Sequence, residues 1–330
     1  MNKSPLTGGA MRRRRSRRAP LVLTVLLLPI AAFGVWLFLG SKATREPPPP
    51  AAVNGHSIER AQHGGRPSAK TGPPGISLIG GQTIKFRFKH PPTAALLFDV
   101  RTGQVMWARN PLRPLPIASL TKIMTAILVV GHTTPNEPVR ITREALNATG
   151  SKVGELPHGK RVPVEALLAG MLLPSGNDAA IALADRVSGH AAPFVKLMTR
   201  TARRMGLGCT RYASPDGLST KNRSCAADLA ALARIAIAKP RIARLTGREQ
   251  VHVRFPIKTG KLWLNSTNPL LRLRYPGTIG LKTGSTDRAG HCFVAIVRRG
   301  RREYGVVLLH SPNIGDQSQR LFNAAFRQRP

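Results

Sequence analysis

Apolar residues first gather at Leu21–Gly40, LVLTVLLLPIAAFGVWLFLG, twenty positions without a charge. Twenty helical residues rise about 30 Å, the thickness of a bilayer core, so the pattern predicts a membrane-spanning helix over 20–40. The next stretch, EPPPPAAVNGHSIERAQHGGRPSAKTGPPG, is dense in Pro and Gly and nearly empty of large apolar side chains. That composition predicts a partly extended spacer over 41–80 that packs no core. From 81 to 330 the pattern becomes that of a globular domain. AALLFDV (Ala94–Val100) predicts a strand, Arg101-Thr102-Gly103 a turn, and Gln104–Ala108 a second strand. Ser119–Val130, apolar on most faces between Pro116 and Gly131, predicts a buried helix.

Val164–Leu173, Asp178–Val187 and Phe194–Met205 follow a helical period and are separated by Pro174-Ser175-Gly176 and Ser188-Gly189-His190. Ser224 is placed to N-cap a further helix running to Ala238. The last third returns to a period of two. Val251–Phe255 alternates, Thr278–Lys282 reads as a short strand, and FVAIVRR and YGVVLLH form a hairpin about Gly300-Arg301-Arg302 before a helix over Gly315–Phe326. The order of elements predicts an α/β domain, an αβα sandwich: a mainly antiparallel sheet built from both ends of this segment, flanked by helices, with a helical subdomain in the middle.

Charge adds orientation. The chain carries a net charge of +36, of which Lys3 and the six arginines between Arg12 and Arg18 supply seven, leaving +29 beyond the apolar run. Arginines clustered in the tail, 1–19, against only Lys42 and Arg45 on the far side predict a cytoplasmic N-terminus and an exported domain. Ser41-Lys42-Ala43 would suit a signal peptidase, but the run exceeds the usual 7 to 15 residues of a signal peptide's apolar region and favours a retained anchor. The exported excess of positive charge is compatible with anionic lipid or wall polymers, and equally with a solvated surface. It does not imply nucleic acid. Cys209, Cys225 and Cys292 match no zinc spacing. In an exported domain Cys209 and Cys225, flanking a polar Gly/Pro-containing loop, are candidates for a disulfide, with Cys292 a buried thiol.

Three short motifs are candidates for chemistry. Ser119 and Lys122 stand at i and i+3 in the first turn of a predicted helix, on one face. A serine hydroxyl becomes a nucleophile when a neighbouring base takes its proton, and a lysine can do so only when burial or another cation holds it neutral. Ser175-Gly176-Asn177 lies between two predicted helices, with a hydroxyl that could relay protons and an amide that could bind one; it also reads as an ordinary cap before Asp178. Lys282-Thr283-Gly284, followed by Ser285, ends a predicted short strand and offers donors to a carboxylate. The first two motifs lie 56 positions apart and the last two 107. The tripeptide occurs also at Lys258, but that copy follows Pro256 and is expected in a bystander loop or strand end, with no second strand after a turn.

S-x-x-K, S-x-N and K-T-G in this order mark penicillin-binding proteins and β-lactamases. The text around them, including LLAGMLLPSGNDAAIALAD and LKTGSTDRAGHCFVAIVRRG, resembles the low-molecular-mass penicillin-binding proteins, the serine D-alanyl-D-alanine carboxypeptidases. That resemblance implies the serine β-lactamase/transpeptidase-like fold, a peptidoglycan pentapeptide as substrate, β-lactams as covalent inhibitors, and no cofactor or metal. It makes Ser119 the nucleophile, Lys122 its base, Ser175 the relay to the departing D-Ala and Asn177 the holder of the substrate amide. Lys282 and Thr283, with Gly284, would bind the terminal carboxylate, Lys282 also repelling charge from Lys122. The N–H groups of Ser119 and Ser285 would form the oxyanion hole. A class A β-lactamase would need a deacylating glutamate after S-x-N, and Asn177–Lys282 holds only Glu249, outside any Glu-x-x-Leu-Asn context. A D,D-endopeptidase and a catalytically inactive wall-binding module are the remaining alternatives.

Overall fold

The computed structural model describes residues 72–79, 83–154 and 156–328. The expected basic tail, the membrane segment and most of the spacer lie outside them. No helix among the described residues is long and apolar enough to cross a membrane.

The elements follow in chain order as β1 (Ala94–Asp99), β2 (Val105–Arg109), β3 (Leu115–Pro116), a 3-10 turn (Ala118–Thr121), α1 (Lys122–His132), β4 (Pro138–Arg140), α2 (Arg143–Leu146), β5 (Arg161–Pro163), α3 (Val164–Leu172), α4 (Asn177–Ser188) and α5 (Ala191–Arg204). They continue as β6 (Arg223–Ser224), α6 (Ala226–Ile237), α7 (Pro240–Thr246), β7 (Gln250–Arg254), β8 (Lys261–Asn265), α8 (Pro269–Arg272), β9 (Thr278–Thr286), β10 (Gly290–Arg299), β11 (Arg302–Ser311) and α9 (Ile314–Arg327). The main sheet has the order β2-β1-β11-β10-β9, antiparallel at every pair. Both ends of the domain therefore contribute to one sheet, as expected.

Alternation along each strand divides the sheet's side chains between two cores. Leu96, Phe98, Val294 and Val307 face a core shared with α1, α3, α4 and α6. Ala95, Leu97, Phe293, Val306 and Leu308 face Leu321 and Phe322 of α9. α3, α4 and α5 build the helical subdomain, and Cys292 is a buried free thiol. This is the predicted αβα sandwich.

Four expectations change. β9 runs nine residues and carries Lys282-Thr283-Gly284 in its interior, because its ladder with β10 continues through Ser285 to Thr286. The Lys258 copy lies in the turn of a hairpin, β7 paired with β8, so a strand does follow it. Cys225, not Ser224, precedes α6; the Ser224 hydroxyl instead meets Thr210 Oγ1 at 2.9 Å. Residues 72–79, expected as spacer, are docked on the domain: Ile76 is buried in the main core, Ser77 bridges Gln104, and the Arg234 guanidinium donates to the Gly75 carbonyl. Ile76 and Leu78 on the core, with bonds from Gln104 and Arg234, seat a segment whose composition alone reads as solvated.

Candidate active site

Ser119 sits in a tight 3-10 turn that passes into α1, so its hydroxyl and the Lys122 amine emerge on one side one turn apart. Ala118, just before it, takes a left-handed φ of 46°, and Ser175 takes 68°. Such conformations cost a non-glycine residue on the order of 1–3 kcal/mol and persist only where the surroundings impose them. Here both motif serines are presented from strained backbone. β9 passes directly against the Ser119 turn: a Cβ at Gly284 would lie 3.0 Å from Ser119 N and 3.1 Å from the Ile117 carbonyl oxygen. Glycine is what permits that approach.

Lys122 is fully buried. Its Nζ lies 2.9 Å from Ser119 Oγ, 2.6 Å from Asn177 Oδ1 and 2.5 Å from the Asp216 carbonyl oxygen. The Asn177 amide is oriented by its other arm, since Nδ2 donates to the Thr149 carbonyl at 2.6 Å. Asn177 Oδ1 and Asp216 O can only accept. A neutral amine has two N–H groups and one lone pair, so these two acceptors consume the donors and leave the lone pair facing the Ser119 hydroxyl. Burial pulls the Lys122 pKa down to about 7, against the opposing pull of the Asp216 and Asp178 carboxylates. Lys122 is thus set up to take the proton of Ser119 near neutral pH.

Lys282 is also buried, and its Nζ donates to the Thr283 carbonyl at 2.9 Å. Its pKa is held well below the ordinary lysine value, first by burial and then by the Lys122 charge. The repulsion thus acts on Lys282, whereas the lowered pKa of Lys122, expected to owe something to Lys282, comes from burial alone. Thr283 Oγ1 meets Thr267 Oγ1 at 2.6 Å, and Ser285 Oγ meets His291 Nδ1 at 3.1 Å. Ser175 is buried beside Asn177, and its hydroxyl makes no hydrogen bond among the described residues. The second Nδ2 hydrogen of Asn177 has no partner among the described residues.

Three contributors escaped the sequence motifs. The Asp216 carbonyl comes from the loop 210–224, whose ends are joined by the Cys209–Cys225 disulfide, with Cα atoms 5.6 Å apart. Inside the loop, Asn222 Oδ1 accepts from Ala213 N at 2.7 Å and the Ser214 hydroxyl donates to Asp216 Oδ1 at 2.6 Å. Gly217, at φ 96°, lets the loop pass over the Ala118 carbonyl. Asp178 accepts from Val153 N at 2.9 Å and so ties the start of α4 to the preceding loop. Thr267 brings the end of the β7–β8 hairpin to Thr283. The only signal of these in the sequence is the turn-forming Ser-Pro-Asp-Gly at Ser214–Gly217. Lys258 is exposed in its turn and meets none of these groups.

A family model described as D-alanyl-D-alanine carboxypeptidase matches residues 83–313. The chain is 34% identical over 217 residues to the D-alanyl-D-alanine carboxypeptidase DacF of Bacillus subtilis, covering 64% of this chain and 55% of that protein. It is 32% identical over 217 residues to a D-alanyl-D-alanine endopeptidase of Pseudomonas aeruginosa, covering 66% of this chain and 70% of that one. The chain thus spans about half the length of the Bacillus relative. A crystal structure of a D-alanyl-D-alanine carboxypeptidase from Mycobacterium tuberculosis superposes with a TM-score of 0.69 at 30% identity, over 76% of this chain and 96% of that one. With the three motifs gathered at one cleft, the chain belongs to the D-alanyl-D-alanine carboxypeptidase family.

Proposed function

We propose that the protein is a serine D-alanyl-D-alanine carboxypeptidase that trims the terminal D-Ala from peptidoglycan pentapeptide stems. The observation that carries this is the buried Lys122 amine, 2.9 Å from Ser119 Oγ with its pKa pulled down to about 7. Lys122 takes the proton as Ser119 attacks the penultimate D-Ala carbonyl, the bond to the terminal D-Ala breaks, and Ser175 passes a proton to the departing amine. Water then hydrolyses the acyl-enzyme. Asn177 holds the substrate amide; Lys282, Thr283 and Gly284 receive the terminal carboxylate; the N–H groups of Ser119 and Ser285 stabilise the oxyanion, a device worth about 3–4 kcal/mol per donor. No cofactor takes part. β-Lactams, which mimic the terminal dipeptide, acylate the same serine.

Labelling with a fluorescent penicillin tests this: wild type is expected to take up label and Ser119→Ala none, and equal labelling of the two sinks the reading. The endopeptidase reading has one observation in its favour, the 32% identity to a protein so described. Free D-Ala release from a pentapeptide, measured beside cleavage of cross-linked dimers, separates them. We further assign the apolar run 20–40 as the membrane anchor of a bacterial enzyme whose tail is cytoplasmic and whose catalytic domain is outside, as the arginine asymmetry supports. Protease accessibility of the domain in intact cells checks it.

A further inference from the structure

The β7–β8 hairpin breaks two rules of sheet surfaces. Its inward positions, Val251, Val253, Leu262 and Leu264, pack on the main core. Its outward positions form three rungs in register: Gln250 opposite Asn265, His252 opposite Trp263, and Arg254 opposite Lys261. Like charges directly opposite on one face are destabilising, and here two cations share a rung. Trp263 is 61% exposed, its ring centroid 5.2 Å from that of His252. A large aromatic left in water beside an unfavourable cation pair is a local conflict of the kind that marks a binding surface.

The stretch of chain that holds the hairpin is basic as well. Arg248, Arg254, Lys258, Lys261, Arg272 and Arg274 lie in one stretch of chain with Glu249 as its only acidic residue. None of the six side chains makes a hydrogen bond or ion pair among the described residues. The surface also adjoins the cleft. Thr267, two residues beyond β8, meets Thr283, and its N–H donates to the Leu173 carbonyl at 3.1 Å. From Trp263 to Thr267 the chain reaches at most about 13 Å, and the four residues of a pentapeptide stem that precede its last bond, extended, cover about the same span. The hairpin is therefore within reach of the stem's sugar end.

We propose that the outward face of β7–β8 binds the sugar strand that bears the substrate stems, Trp263 lying on a sugar ring and the Arg254–Lys261 pair receiving acidic groups of the stems. The inference rests on the carboxypeptidase reading for its ligand. The amide rung, Gln250 Nε2 donating to Asn265 Oδ1 at 2.8 Å, suits a hydroxyl-rich polymer better than a bilayer. Three rungs, about 6.7 Å apart, give a platform of about 13 Å.

The test compares full-length wild type, Trp263→Ala and Lys261→Glu, held in detergent, in two assays: co-sedimentation with purified insoluble peptidoglycan and D-Ala release from a soluble pentapeptide. Both variants are expected to bind the polymer at least about fivefold more weakly, the usual effect of losing an anchor residue, while releasing D-Ala from the soluble peptide within about twofold of wild type. Lys261→Glu supplies an opposite charge to Arg254, so it should melt no lower than wild type, which separates ligand loss from a damaged hairpin. Unchanged co-sedimentation of the variants overturns the proposal. Wild type that binds the polymer through this face but releases no D-Ala supports the surface and counts against the activity.

Discussion

The Lys122 environment makes the pH dependence of acylation a direct test of the site. With an ordinary lysine value near 10.4, about 0.04% of the side chain would be neutral at pH 7. At a pKa of about 7, about half is neutral at that pH and about 1% at pH 5. The second-order rate of penicillin labelling should therefore rise about tenfold per pH unit below 7 and level off above it, with its midpoint near 7. The same shift has a stability signature. Burial makes the ammonium form dearer in the folded state by about 5 kcal/mol, the equivalent of a move from 10.5 to about 7. The folded-state pKa is lowered, so between pH 7 and 10.4 the unfolded chain binds the extra proton and stability rises with pH by about 1.4 kcal/mol per unit; below pH 7 the penalty is constant. Lys122→Met removes that penalty along with the labelling. Its stability relative to wild type should thus be pH-independent below 7 and decline between 7 and 10.4, as read by urea titration. A labelling rate flat from pH 5 to 8, or a midpoint near 10, would refute the neutral-lysine mechanism.

Three further outcomes follow from the packing. Lys258→Ala should leave penicillin labelling within about twofold, because the residue is exposed in a hairpin turn, whereas Lys282→Ala should reduce it by well over tenfold through loss of the buried amine proposed to receive the carboxylate. Gly284→Ala places a Cβ 3.0 Å from Ser119 N and should abolish labelling while secondary structure by circular dichroism persists. Replacing both Cys209 and Cys225 by Ser, which opens a closure 16 residues apart in sequence, should cost about 3 kcal/mol of stability and slow labelling, because the Asp216 carbonyl is no longer held against Lys122; unchanged labelling kinetics would remove the loop from the catalytic assembly.

Much of the site is legible in the chain because its motifs are local. Ser119 and Lys122 are one helical turn apart, and Asn177 begins a helix immediately after a glycine, so their relative geometry is set by backbone period alone. The disulfide candidate holds for a similar reason, two cysteines bracketing a loop of turn-forming residues. β9 was harder to read. Its second half, Gly284–Thr286, is polar and lies at the sheet edge, so apolar alternation stops before pairing does. The hairpin containing Lys258 was missed because Pro256 and Gly260 occupy its turn.

Sequence by itself determined the family, the three motifs and the order of the main-sheet strands and larger helices, because each motif is marked by residue type at short spacing. It could not determine the protonation of Lys122. That depends on complete burial and on two carbonyl acceptors drawn from positions 55 and 94 residues away, contacts that exist only once the Asp216 loop is closed against α1. Nor could it tell that Ile76 belongs to the core or that Arg254 and Lys261 share a rung. Periodicity specifies which face of an element is apolar, but dielectric, hydrogen-bond stoichiometry and cross-strand pairing are properties of what that face meets, and only the tertiary structure decides those.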